Sequence, residues 1–208
     1  MTFLNDLSLT QLLTRLAAYL VLVAIHGLVL ALLADRLGDR EPAFIGRLTA
    51  NPFVQLSVPG LISALFFHMG WLKPFVLDPT KLRFGRGGLV LVALSSLVLL
   101  LVLVVLCNPL RILISATLTG TASLTALGVV QEIQQQGIWY VLVNVLPIPG
   151  LTGALWLQAL VPAATGSIRR YALPCMLGLI VLGAFDLPEK ILGVPYALLS
   201  SWLITLIS

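Results

Sequence analysis

Long stretches with almost no charge constrain this chain more than anything else in it. Six apolar runs follow one another, about Leu16–Leu33, Leu89–Leu106, Ile112–Val130, Ile138–Leu160, Tyr171–Phe185 and Ile191–Ile207. A membrane-spanning helix needs about 20 apolar residues. Lipid offers no partner to a backbone N–H or C=O, so a spanning segment must be a helix or part of a closed barrel. The runs are continuous and lack the two-residue alternation of barrel strands, which favours helices. Only 10% of the 208 residues are charged and 59% are hydrophobic, where an ordinary soluble domain carries roughly 25% charged residues. So few charges cannot cover so much apolar surface in water. The sequence therefore predicts an all-α integral membrane protein and excludes soluble enzymes, secreted disulfide scaffolds and nucleic-acid modules. The net charge of +4 sits in short loops, as expected for basic residues retained on one side of a membrane, and implies no nucleic-acid partner. The first run is longer than a signal-peptide core and reads as a retained helix. Cys107 and Cys175 lie in apolar surroundings, read as structural thiols, and form no metal spacing.

A seventh stretch, about Pro52–Trp71, is interrupted by Pro59-Gly60 and gives two short pieces. A re-entrant or interfacial segment after the first helix fits it better than a span. The positive-inside rule supports that choice. If the stretch spans, basic residues divide evenly between the two faces. If it does not, eight fall on one face and four on the other (Arg15, Arg111, Arg169 and Arg170). The expectation is about six spans, with the N-terminus outside and Asp35–Gly88 cytoplasmic or interfacial. The whole chain, residues 1–208, reads as one membrane domain. In the run Ile112–Val130, Ser115, Thr119 and Ser123 recur every fourth position, as do Ala116, Gly120, Leu124 and Gly128. On one helix this would be a close-packing face, its hydroxyls bonded to their own backbone.

Within the run Ile138–Leu160 stands Asn144-Val-Leu-Pro147-Ile-Pro149-Gly-Leu-Thr152-Gly153. Two prolines two residues apart cannot sit in an unbroken helix. The sequence predicts a Pro-broken helix near Asn144–Pro149, tolerated only where protein or a cavity satisfies the backbone.

That stretch resembles the Asn-x-x-Pro-x-Pro-x-x-Asp-Gly motif of the site-2 protease family, which are intramembrane zinc metalloproteases. Further segments are similar in order: Arg36-Leu-Gly-Asp39, Gly46-Arg47-Leu-Thr-Ala-Asn51-Pro52, Gly70-Trp71-Leu-Lys73-Pro74, Asp78-Pro79 and Arg83 to Gly88. The resemblance covers about residues 20–162, leaving 163–208 as C-terminal helices outside it. It implies a multi-pass protein of a prokaryotic-type inner membrane. In the family's His-Glu-x-x-His, two histidines at i and i+4 bind zinc and the glutamate acts as general base. Here the segment reads His26-Gly27-Leu28-Val29-Leu30. The third ligand, an aspartate, is replaced by Thr152. Gln55 and Ser57 stand where the family often has His and Asp, and Ser95-Ser96-Leu97-Val98-Leu99 stands where it often has Gly-Pro-x-x-Asn. Catalytic zinc takes three protein ligands from His, Cys, Asp or Glu, and only His26 is retained. No metal, no cofactor and no family-type hydrolysis are therefore expected.

A relocated metal site would need His68, with Asp35 or Asp78, beside His26. Asp35 lies nine residues past His26, about 13 Å along a helix. Three functions remain open at this level. One is an inactive protease-like subunit that binds a membrane partner or transmembrane client through Asn144, Pro147 and Pro149. The second is an active zinc protease with unusual ligands. The third is a small transporter, which would ordinarily need more polar groups inside its spans.

Overall fold

The computed structural model describes residues 8–205. Among them the backbone is helical, and the only strand-like pairing is an isolated antiparallel bridge between Leu56 and Leu72. Ile207, at the end of the last apolar run, lies outside the described residues. Among the described residues nine α-helices follow in order: α1 (Leu9–Leu37), α2 (Glu41–Phe44), α3 (Pro52–Gln55), α4 (Val58–Phe67), α5 (Arg86–Thr117), α6 (Gly120–Val145), α7 (Ala154–Leu160), α8 (Thr165–Ala184) and α9 (Leu187–Thr205).

Local chemistry sets the main boundaries. Ser8 opens α1 with a capping box: its Oγ accepts from the Gln11 N–H, and the Gln11 side chain accepts from the Ser8 N–H. Gly38 ends α1 at φ 113°, a conformation that favours glycine. Leu146, immediately before Pro147, is extended and ends α6. The predicted break thus occurs, and residues 146–153 separate α6 from α7. Pro52–Trp71 also forms two short helices, of 4 and 10 residues.

The run Ile112–Val130 departs from expectation. It is divided at Leu118 and Thr119 between α5 and α6, and both are extended. Gly120 follows at φ 65°, so the chain turns where a continuous span was expected. The small-residue stripe is therefore not one helix face. Ser115, Thr119 and Gly120 are exposed, and Ser115 donates to the Ile112 carbonyl. The prolines inside α5, α8 and α9 (Pro109, Pro174 and Pro195) leave those helices continuous.

Among the described residues three helices, α1, α5 and α8, are long and apolar enough to cross a membrane. The main hydrophobic cluster joins α1, α5 and α6 through Leu22, Leu30, Leu89, Leu100 and Tyr140. A second cluster gathers Met69, Trp71, Trp139, Val143, Leu151 and Met176 around the break. Outward, α5 exposes Leu91, Leu94, Val98, Leu99, Val102 and Leu106, an apolar surface suited to lipid. Both cysteines are free, Cys107 buried and Cys175 half-buried.

One expectation about sidedness is corrected. Arg169 lines a cleft with Glu41 and Asp78, and Gln158 donates to the Leu77 carbonyl. The segment after α7 therefore lies beside the loops of Asp35–Gly88, not on the opposite face.

Candidate functional site

His26 lies on α1 with no exposed surface. Its Nδ1 is 3.1 Å from the Tyr140 hydroxyl on α6, and its Nε2 is 3.3 Å from Ser96 Oγ on α5. Thr152, which just precedes α7, brings Oγ1 to 3.5 Å from the same Nε2. Asn144, on the last turn of α6, is also fully buried. Its Nδ2 donates to the carbonyls of Gly70 (2.9 Å) and Tyr140 (2.8 Å), and its Oδ1 accepts from Thr152 Oγ1 at 3.5 Å. The Gly153 N–H closes the break by donating to the Asn144 carbonyl. A side chain at Gly153 would collide with the Leu146 carbonyl, so the turn requires glycine there.

The hydroxyl protons assign the imidazole tautomer. The Ser96 hydroxyl donates to the Ala93 carbonyl at 2.8 Å, so its oxygen is left to accept. The Thr152 hydroxyl donates to Asn144. Both oxygens thus receive the His26 Nε2–H, and Nδ1 accepts from Tyr140. In this arrangement both ring nitrogens are engaged.

Gly27 faces a different neighbour. A Cβ there would sit on the Gln55 side chain, 2.6 Å from Oε1 and closer still to its carbons. Gln55 is fully buried and held from both ends by Arg47. Its Nε2 donates to the Arg47 carbonyl at 2.7 Å, and the Arg47 Nε donates to its Oε1 at 3.1 Å. Arg47 also donates to the carbonyls of Pro74 and Lys73 and lies 4.3 Å over the Phe75 ring. Burial pulls its guanidinium down to about 10, still cationic at neutral pH. Leu30, where the resemblance would put a second histidine, is fully buried in the main hydrophobic cluster.

The site residues named from sequence divide accordingly. His26, Asn144 and Thr152 converge. Gly27 and Leu30 flank them without offering a donor. Pro147 is exposed and Pro149 half-buried at the break. Asn144 turns its amide inward, so it shapes the loop and the prolines present its surface. The relocated metal set does not assemble. His68 pairs with Glu132 at 3.4 Å, Asp35 faces Arg40, and Asp78 faces Thr80 and Lys81. Its hydrogen bonds to Thr80 hold the Asp78 carboxyl below its usual range, and the bond to Glu41 raises the Lys81 ammonium. Among the described residues no three His, Cys, Asp or Glu side chains group closely enough to hold a metal.

A family-type zinc ion does not fit these residues. The side chains within reach of the His26 ring nitrogens are the hydroxyls of Ser96, Tyr140 and Thr152, and none of them is a carboxylate or a second imidazole. Ser96 and Tyr140 were not singled out from sequence as partners of His26. Tyr140 was findable: it sits four residues before Asn144, on the same helix face. Comparison with protein-family models, curated proteins and solved structures finds no match for the chain.

Proposed function

We propose that the chain is a catalytically silent protein of the site-2 protease type, a multi-pass subunit of a prokaryotic-type inner membrane that holds a transmembrane segment of a partner. The observation that carries this reading is the meeting of His26 and Thr152. They lie 126 residues apart in sequence and 3.5 Å apart in space, with Asn144 beside them, at the positions the resemblance assigns to one site. The chemistry at those positions has changed: a hydrogen-bond knot stands where ligands and a base would be needed. The helix break remains, and next to it lies an apolar cavity of about 220 Å³ lined by Leu146, Ile148, Met69, Trp71, Leu179 and Ile191 among others. Such a cavity suits the apolar side chains of a client helix or strand, while an unwound segment offers backbone groups beside it.

In this reading α1, α5, the α6–α7 pair and α8 cross the bilayer, fewer crossings than the six apolar runs. The short helices α2 and α3 start from the cytoplasmic side, and α4 runs inward from there to the level of Arg15, which donates to the Leu65 carbonyl. Arg36, Arg40, Arg47, Lys73, Lys81, Arg83, Arg86, Arg169 and Arg170 then share the cytoplasmic side, which sharpens the positive-inside asymmetry. Arg15, Arg111 and Lys190 lie opposite.

Two measurements test it. Chain purified in mild detergent without added metal is expected to hold no stoichiometric zinc, and His26→Ala to have the same metal content as wild type. Stoichiometric zinc that disappears in His26→Ala would overturn the silent reading and restore the protease alternative. A photoreactive residue in place of Pro147 is expected to cross-link in membranes to a hydrophobic segment of another protein, whereas one at Leu124, exposed on α6, is not. Equal capture at both positions, or none at Pro147, would count against a client site at the break.

A further inference from the structure

The chain has a second polar cleft, at the opposite end of the helices from Gly38 and Asp39. The only charges on α5 are Arg86 and Arg111. Twenty-five residues of helix separate them by about 37 Å. A hydrocarbon core is about 30 Å thick, and about 40–45 Å with its headgroups, so a crossing α5 puts one arginine in each headgroup layer. Arg15 marks the same layer as Arg111. It pairs with Glu132 at 3.8 Å, while Arg111 Nη1 donates to Gln134 Oε1 at 3.3 Å, two positions further along α6.

Around Arg111 the gap between α5, α6 and α9 opens into a cleft of about 270 Å³. Asn108, Gln131, Gln134 and Gln135 supply its polar lining, and Val104, Ile138 and Leu203 form an apolar wall. Gln134 is fixed, donating to Asn108 Oδ1 at 2.8 Å and to the Val104 carbonyl at 3.3 Å, so its Oε1 is aimed at the guanidinium. Arg111 has no carboxylate partner among the described residues. The one carboxylate of α6, Glu132, is turned toward Arg15 and His68. Gln131 and Gln135 are exposed and make no hydrogen bond to the described residues. The cleft therefore gathers an uncompensated cation and several unused N–H donors above an apolar wall, at headgroup depth.

We propose that this cleft binds the phosphate of an anionic phospholipid. The guanidinium and the glutamine amides donate to phosphate oxygens, and the acyl-glycerol end follows the apolar wall toward the bilayer. A headgroup with its own cationic nitrogen is disfavoured, because no carboxylate lines the cleft to receive it. This site is independent of the His26 cluster, so its failure would leave that reading untouched.

The test titrates full-length protein in mild detergent with phosphatidylglycerol, phosphatidylcholine or inorganic phosphate and counts retained molecules by native mass spectrometry. One phosphatidylglycerol is expected to be retained. Arg111→Gln should weaken retention about tenfold or more, as loss of a charge-assisted contact implies. Gln135→Ala should weaken it several-fold, and Arg40→Gln, at the other end of the molecule, should leave it unchanged. If Arg111→Gln does not fold, Gln135→Ala and Arg111→Lys carry the comparison, each expected to fall below wild type. Equal retention in these variants and wild type would overturn the site. Phosphatidylcholine held as well as phosphatidylglycerol would overturn the headgroup assignment. Full displacement of lipid by inorganic phosphate at equal concentration would make this a free-phosphate site instead.

Discussion

Asn144→Leu is expected to lower the stability of the folded chain by about 2–4 kcal/mol, and Asn144→Asp to lower it more. The amide makes two donations that nothing else can replace, to the carbonyls of Gly70 and Tyr140. The first ties the loop after α4 to the end of α6, across 74 residues of sequence. Leucine is similar in size and adds no charge, but it strands the Gly70 carbonyl in a buried place, where an unsatisfied acceptor costs about 1–3 kcal/mol. Aspartate keeps the shape and reverses the polarity. Ionised, it sets acceptor oxygens against two carbonyl oxygens; protonated, it supplies one donor where asparagine supplies two. The order wild type, leucine, aspartate is thus specific to an inward-facing amide. Thermal unfolding in one detergent, followed by helix content, reads it. An aspartate variant as stable as wild type would mean that Asn144 does not brace the break.

How much of this was legible in the sequence depends on the range of the interaction. The end of α6 is local: Pro147 forces Leu146 to be extended, and Pro149 prevents the helix from resuming at once. The meeting of His26 with Thr152 is long-range, and only the family resemblance anticipated it. The division of Ile112–Val130 was missed because a four-residue spacing of small side chains signals a helix face only when the helix is continuous. Thr119-Gly120 breaks it, with Gly120 in a left-handed conformation. Ser96 looked like the loss of a polar pattern on α5 and is instead a partner of His26. No periodicity marks the lid over Gly27 either, because Gln55 reaches it through a loop held by Arg47.

That lid sets up the second large effect. Gly27→Ala is expected to cost about 2–3 kcal/mol despite alanine's better helix propensity. The new methyl lands on Gln55, and Gln55 cannot swing aside without giving up both of its bonds to Arg47. Gln55→Ala alone should also destabilise, since it leaves the half-buried Arg47 with fewer acceptors. The two losses should not add. In the double variant the methyl at position 27 enters space that Gln55 has vacated, and the helix keeps the propensity gain. A double-mutant cycle is expected to show about 1–2 kcal/mol of favourable coupling. Simple additivity would mean that the two side-chain positions do not touch. The same contact bears on chemistry. A glutamate at position 27 would be the base that the resemblance calls for, and it would have to displace Gln55 before it could reach His26. Gly27→Glu should therefore be worse tolerated than Gly27→Ala, and shortening Gln55 should relieve both. Placing a carboxylate beside His26 thus requires moving the Arg47–Gln55 pair as well as changing position 27, so packing closes this side of His26.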